Sequence, residues 1–120
     1  MPDQRREARK KLIAFTPVYK LDPKVLLGYL VDLTPHGAKV EGERAVEVNQ
    51  RVGLAIEFPD GMSTAPGAPF SVAARVTRCA PGKSPRYFDI GFEFTDPTPE
   101  QAKVIEAIIE RYAFRREEFA

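Results

Sequence analysis

The chain has 120 residues, which fits a single domain, and its hydrophobic fraction of 43% is ordinary for a folded soluble protein. The formal net charge is +1, so no global field attracts nucleic acid or an anionic membrane, and recognition of an anion must be local. One cysteine and one histidine exclude an internal disulfide and argue against a zinc or iron site, which needs about three or four converging ligands. The chain has no signal-peptide pattern and no run near the roughly 20 apolar residues of a membrane span. We therefore expect a cytoplasmic protein.

Residues 1–11 are predicted to form a flexible basic arm. Five basic residues against two acids give this segment a charge of +3, in a chain whose total is +1. Such a charge run is ordinarily a solvated face or a disordered tail. Residues 12–120 are expected to form the folded domain. The basic residues of the arm are Arg5, Arg6, Arg9, Lys10 and Lys11.

The segments after the arm predict β-strands. Residues 12–20 could form a first strand, and residues 24–33 form another in which Gly28 marks a bend or bulge. Turn residues at positions 32–37 end this strand, and a new strand starts at Ala38. Three later segments also predict strands, namely residues 51–58, 70–78 and 87–94.

The spacing of apolar residues changes from two to the helical period near residue 98. Thr98 can cap free N–H groups, Pro99 suits the first helical position, and Gln101 completes a capping box. The pattern predicts one helix over about residues 98–116, which packs its apolar stripe on the strands. Short strands followed by one helix indicate an all-β barrel or sandwich with a terminal helix. A barrel suits so small a domain because closure removes exposed strand edges.

Two local motifs carry the chemistry of a binding site. The first is Arg5-x-x-x-Arg9 in the arm, and the second is Asp32-x-Thr34-x-x-Gly37 at the turn between two strands. Guanidinium groups form forked contacts with phosphate oxygens and with the O6 and N7 edge of guanine. Asp32 can accept hydrogen bonds from the other guanine edge, Thr34 can add one, and Gly37 permits a positive φ and a close backbone approach. The combination suits a guanine nucleotide.

The two motifs, in this order and at this spacing, resemble the PilZ domain signature, RxxxR followed by (D/N)xSxxG. Thr34 stands in place of the usual serine and keeps the hydroxyl. The strand over residues 90–94 before a terminal helix is also similar, so the resemblance covers about residues 4–114. It implies a six-stranded antiparallel β-barrel with a C-terminal α-helix. It also implies a bacterial receptor for cyclic di-GMP that is not an enzyme and needs no cofactor.

The resemblance further implies how the ligand is held. Cyclic di-GMP would lie between the arm and the barrel surface, and the arm would fold over it. Ordering of the arm would then be the signal to an unidentified effector protein, in motility, surface attachment or exopolysaccharide production. The ligand residues implied are Arg5, Arg9, Asp32, Thr34 and Gly37.

Four other residues carry open alternatives. Arg6 begins a second, poorer match to the first motif. Gln4 precedes the first arginine, where the family has an arginine when it binds a stacked pair of ligands, so a single ligand molecule is favoured. His36 either is a tolerated turn residue or stacks on a base. Arg78 either is a solvated charge at a strand end or reaches the ligand.

Three other functions stand beside the receptor hypothesis. A degenerate PilZ domain without ligand would be a protein-interaction module, although the intact arginines argue against it. A barrel that binds single-stranded nucleic acid would need a basic groove with exposed aromatic rings, which the near-neutral charge opposes. An enzyme would need an acid–base or nucleophilic constellation, and none is recognisable.

Overall fold

The computed structural model of the chain describes residues 10–115. The structure contains a closed barrel of six antiparallel strands, a separate two-stranded sheet and one α-helix, α1, over Pro99–Arg111. The strands are β1 Lys11–Ala14, β2 Pro17–Lys20, β3 Val25–Thr34, β4 Gly37–Gly42, β5 Arg51–Ile56, β6 Phe70–Pro81, β7 Phe88–Phe94 and β8 Tyr112–Arg115. The barrel order is β2-β3-β4-β7-β6-β5, and β1 pairs with β8 outside it. The predicted six-stranded antiparallel barrel with a C-terminal helix is thus confirmed.

The barrel interior is filled by side chains that alternate along its strands. Val40, Leu54 and Ile90 are at most 1% exposed and come from three different strands. The helix adds Ile105 and Ile108, both completely buried, to the same apolar cluster. The predicted packing of the helix stripe on the barrel is therefore confirmed, and it joins barrel and helix in one core.

The helix begins as predicted but ends earlier. The Thr98 hydroxyl accepts a hydrogen bond from the Gln101 N–H at 3.0 Å, and the Gln101 side chain accepts one from the Thr98 N–H at 2.8 Å, which is the expected capping box. The extension of the helix through residues 112–115 is wrong, because Tyr112 is extended (φ −129°, ψ 149°) and starts β8. Within residues 10–115, no helix is long and apolar enough to cross a membrane.

The reason for this early end is the parallel pairing of β8 with β1. Lys11 lies opposite Tyr112, and Ala14 lies opposite Arg115. Tyr112 continues the apolar spacing of the helix and is buried in the core, so the pattern alone fits either conformation. The hydrogen bonds that β1 offers, about a hundred positions away in the chain, favour the strand.

The first predicted strand is two strands. The chain bends at Phe15, whose φ is +61°, so that Lys11–Ala14 leaves the barrel and Pro17–Lys20 joins it. Lys11, assigned above to the arm, is the first residue of β1, and residues 12–14 do not belong to the barrel. The interruption matters because it attaches the end of the arm to β8 rather than to the barrel wall.

β3 has a bulge beside the predicted glycine, since Val18 pairs with Gly28 whereas Tyr19 pairs with Leu26. A Cβ on Gly28 would lie 2.2 Å from the carbonyl oxygen of Glu41, so only glycine lets β3 and β4 approach this closely. The period of two is also broken, since the inward residues of the strand are Leu27, Leu30 and Leu33.

Candidate functional site

The turn between β3 and β4 is organised by the hydroxyl of Thr34. Its Oγ1 accepts hydrogen bonds from the N–H groups of His36, at 3.2 Å, and Gly37, at 3.1 Å. The His36 carbonyl accepts a hydrogen bond from the Phe94 N–H at 2.8 Å, which ties the turn to β7. The hydroxyl in the second motif therefore has a local task in shaping the turn, and a serine hydroxyl could perform the same task.

Gly37 is required by strand packing. A Cβ at this position would lie 2.1 Å from the carbonyl oxygen of Phe92, so the glycine makes room for a neighbouring strand. The approaching backbone is that of β7. The chain passes through Gly37 without entering the left-handed region, so the positive φ that a glycine permits is not used here. Antiparallel pairing of Gly37 with Glu93 at the start of β4 accounts for both observations.

Asp32 is exposed on the outer surface of the barrel next to this turn. Its Oδ1 accepts the N–H of Leu33 at 2.9 Å, and its Oδ2 has no partner within residues 10–115. Val31 is the extra residue of a β-bulge, because Leu30 pairs with Val40 while Asp32 pairs with Lys39. Bulges of this kind re-aim a side chain, here the carboxylate.

One row of residues crosses four strands of the outer face. Asp32 of β3 pairs with Lys39 of β4, Lys39 pairs with Gly91 of β7, and Gly91 pairs with Arg78 of β6. One cavity of about 290 Å³ includes Asp32, Thr34, His36 and Gly37 of the predicted site, together with Lys39. A second cavity of about 240 Å³ continues it past Lys39 and Gly91 to Arg78. The structure thus brings together five of the predicted residues and connects them through two that were not predicted.

The N-terminal arm enters beside Asp32. Lys10, the first described residue, lines a cavity of about 250 Å³ together with Asp32 of β3 and Tyr112 of β8. The predicted residues Gln4, Arg5, Arg6 and Arg9 lie outside the described part of the chain. Arg9, the last residue of the first motif, directly precedes Lys10 in the sequence.

The charged side chains in and near the row differ in whether they have a partner of opposite charge. Arg75 of β6 contacts Glu93 at 2.5 Å and Asn49 at 2.8 Å, so its charge is neutralised locally. Lys39 and Arg78 are exposed and have no charged partner within the described residues. In that same part of the chain, no group of three or more His, Cys, Asp or Glu side chains could hold a metal ion. The row therefore offers positive charge that the fold itself does not use.

Tyr112 lines the cavity beside Lys10, and the pKa of its phenol is raised. Its O–H donates a short hydrogen bond to the carboxylate of Asp60. This hydrogen bond, together with burial of the ring, raises the pKa of the Tyr112 phenol above its ordinary value of 10.0. The hydrogen bond between Tyr112 and Asp60 links β8, which lines the cavity beside Lys10, to the turn over Pro59–Gly61.

Comparison with known proteins agrees with this geometry. The model of the PilZ domain family matches residues 3–114, which is nearly the whole chain. The chain belongs to the PilZ domain family. This PilZ domain also superposes on the solved structure of the Bacillus subtilis inhibitor of motility, MotI/DgrA, with a TM-score of 0.60 and 13% sequence identity. The match covers 79% of the present chain but only 45% of MotI/DgrA, and at this identity the likeness shows the fold alone.

A search of the curated proteins finds no match to the chain. PilZ domains are receptor and adaptor domains rather than enzymes, and the family is associated with cyclic di-GMP.

Lys39 is the cation that reasoning from the sequence missed. Its only signal was an outward-facing position in the strand after Gly37, and its link to Arg78 depends on a strand register that no local pattern reveals.

Proposed function

We propose that this PilZ domain is a cyclic di-GMP receptor that holds the dinucleotide between its N-terminal arginine arm and the turn between β3 and β4. The observation that carries the proposal is the cavity shared by Lys10 and Asp32. It brings the residue that follows Arg9 next to the carboxylate of the second motif. Arginines that bind phosphate and a carboxylate that binds guanine would thus face one ligand.

The ligand residues take separate tasks in this proposal. Arg5 and Arg9 form forked bonds to phosphate oxygens and to the O6 and N7 edge of guanine. Asp32 accepts the guanine N–H groups through Oδ2, the oxygen that has no partner within residues 10–115. Thr34 shapes the turn and Gly37 keeps it close to β7. The remaining candidates at the edge of the site are Gln4, Arg6, His36 and Arg78.

A single ligand molecule per site is part of the proposal. Gln4 precedes Arg5, and it lacks the charge that a further phosphate would need. Arg6 sits within the same motif and can take the place of Arg5 if the arm shifts by one residue. His36 is exposed beside the turn, where its ring can stack on a base.

The signal is the ordering of the arm. Fixing its backbone costs conformational entropy, which charge-assisted hydrogen bonds offset only when the ligand is present. The arm continues into β1, and β1 pairs with β8 directly after α1. A partner protein that contacts the ordered arm or this sheet would bind the liganded state more tightly than the ligand-free state.

Calorimetric titration of cyclic di-GMP into the wild-type protein and into Arg9→Ala tests the proposal. Wild type should bind saturably, and Arg9→Ala should lose at least about tenfold in affinity, because a charge-assisted contact is removed. Arg51→Ala is the matched control, since Arg51 is an exposed arginine of β5 outside the cavities of the site. GTP should give no heat.

The absence of heat with the wild-type protein, together with an unchanged melting temperature at millimolar ligand, would reject the receptor function. The alternative is then a PilZ domain that interacts with proteins without ligand. Exposed apolar side chains favour that alternative, because Phe15, Leu26 and Tyr29 are 57%, 41% and 38% exposed around one cavity of about 390 Å³.

A further inference from the structure

We propose that Lys39 and Arg78, on either side of Gly91, form a second anion-binding subsite that holds a phosphate group of the nucleotide on the outer face of the barrel. The inference rests on the proposed function and extends it. It assigns a binding role to Lys39, makes Arg78 its partner, and gives Gly91 the role of the floor between them. The chemical class of the bound group is a phosphodiester or pyrophosphate oxyanion.

The first support is the geometry of the row. Lys39 and Arg78 each pair with Gly91, from opposite sides, so two strand spacings of about 4.8 Å separate their backbones. Gly91 has no side chain, and a Cβ there would lie 3.0 Å from the Thr77 hydroxyl and 3.5 Å from the Arg78 Cβ, so the glycine lets these groups approach the strand closely between the two cations. The cavities of about 290 and 240 Å³ both include Lys39 and Gly91, so they adjoin along the row between Asp32 and Arg78.

The second support is a pair of β-bulges, one at each end of the row. At the β3 end, Val31 is the extra residue before Asp32. At the β6 end, Thr77 is the extra residue, because Val76 pairs with Phe92 while Arg78 pairs with Gly91. Bulges concentrate at sites where a strand must re-aim a side chain. Here they set both terminal residues of the row on the same outer face as Lys39.

The third support is the charge balance. Lys39 and Arg78 have no charged partner within residues 10–115, whereas the neighbouring Arg75 is engaged by Glu93. Asp89 also lines the second cavity, but it has an interaction of its own. Two cations without a charged partner, on either side of a glycine and beside the Thr77 hydroxyl, are an arrangement that attracts an oxyanion.

The order of charges along the row matches a nucleotide. Cyclic di-GMP carries two phosphates on opposite sides of one ring and a guanine beside each. With Asp32 on the guanine N–H groups and the arm arginines on one phosphate, the other phosphate would extend along the row toward the cations. Lysine supplies a compact charge there, and arginine supplies a two-pronged donor.

The test compares Lys39→Gln, Arg78→Gln and the double variant with wild type by calorimetric titration of cyclic di-GMP. Each single variant should bind about tenfold more weakly, as expected for one lost charge-assisted contact. Lys39→Arg, which keeps the charge, should bind within about threefold of wild type. Lys103→Gln on α1 and Arg51→Gln on β5 are the controls, because both are exposed cations outside the row.

A second titration uses inorganic pyrophosphate and follows backbone amide signals by NMR. Saturable shifts at Lys39, Gly91 and Arg78 in wild type, absent from the double variant, are expected. If pyrophosphate shifts these signals although cyclic di-GMP does not bind, the receptor function fails and the subsite stands. If cyclic di-GMP binds equally well to wild type and the double variant, the receptor function stands and the subsite is rejected. If neither ligand binds to the wild-type protein, both are rejected.

Discussion

Gly37 shows how one residue of a binding motif can be needed for the fold itself. Its missing side chain makes room for the carbonyl oxygen of Phe92, at 2.1 Å from where a Cβ would be. The oxygen belongs to backbone that is paired across β4 and β7, so it cannot move aside without breaking the ladder. The glycine therefore sets the position of Thr34 and His36 even before any ligand arrives.

Gly37→Ala should destabilise the protein by about 1–3 kcal/mol, the usual cost of forcing an extra methyl into a packed site. Gly53→Ala is the control, since a Cβ there would meet only the Leu21 side chain at an ordinary 3.5 Å. Urea unfolding of the two variants and wild type measures the difference. Equal stability of Gly37→Ala and wild type would mean that β4 and β7 separate more easily than the structure indicates.

Among elements, β8 has the most consequences for the site. It pairs with β1 on one side, and its first residue, Tyr112, reaches the carboxylate of Asp60 in the turn over Pro59–Gly61. The change from helix to strand at Tyr112 thus connects the end of α1 with β1 and with the turn at Asp60. Tyr112 also lines the cavity beside Lys10.

The pKa of Tyr112 makes this connection sensitive to high pH. Below pH 10 the phenol is protonated in both folded and unfolded chains, and the hydrogen bond to Asp60 contributes fully to stability. Above pH 10 the unfolded chain loses its proton first, so the free energy of unfolding should fall until the pH exceeds the raised folded pKa. Tyr112→Phe should lower stability at pH 8 and show a smaller further decrease above pH 10.

Urea unfolding at several pH values between 8 and 11 would check this expectation. Tyr29→Phe is the matched control, because Tyr29 is partly exposed and its ring contacts only that of Phe15 among the described aromatic pairs. The control should follow the wild-type curve above pH 10. A Tyr112→Phe curve parallel to wild type would show that Asp60 does not hold the phenol.

The strands of the barrel and the start of α1 were predictable because their signals are local. Alternation in β5 and β7 and the capping box at Thr98 depend on neighbours within a few residues. The end of α1 was not predictable, since Tyr112 fits both a helix stripe and a strand that pairs with Lys11. The site divides in the same way. Asp32, Thr34 and Gly37 belong to one local motif, whereas Lys39 and Arg78 come into the same row only because both pair with Gly91 of β7.

At the scale of the whole molecule, the core and the candidate site are separate. Among the described residues, the buried cluster extends from Val18 to Tyr112 and includes neither Asp32, Thr34 nor Gly37 of the second motif. The first motif belongs to a segment with a net charge of +3, which is not expected to supply apolar core side chains. We therefore expect Arg5→Ala/Arg9→Ala to keep the melting temperature of the ligand-free wild type. Cyclic di-GMP at about 100 times its Kd should stabilise wild type by about 2.7 kcal/mol and leave this variant unchanged.

Thermal unfolding followed by circular dichroism, with and without cyclic di-GMP, measures both quantities. GTP at the same concentration serves as the control ligand and should leave the wild-type melting temperature unchanged. A ligand-free double variant that melts well below wild type would show instead that the arm is part of the fold, and the order–disorder signal would then need revision.

The parallel pairing of β1 with β8 also has a mechanical consequence. Because the two strands run in the same direction, residues before Lys11 and residues after Arg115 leave the pair at opposite ends. A force that separates these two segments pulls the strands past one another and loads their hydrogen bonds together, in shear, rather than opening them one at a time. This small sheet, outside the barrel, thus connects the start of β1 to the end of α1, so a force applied to the arm would be transmitted to the helix through the hydrogen bonds between β1 and β8.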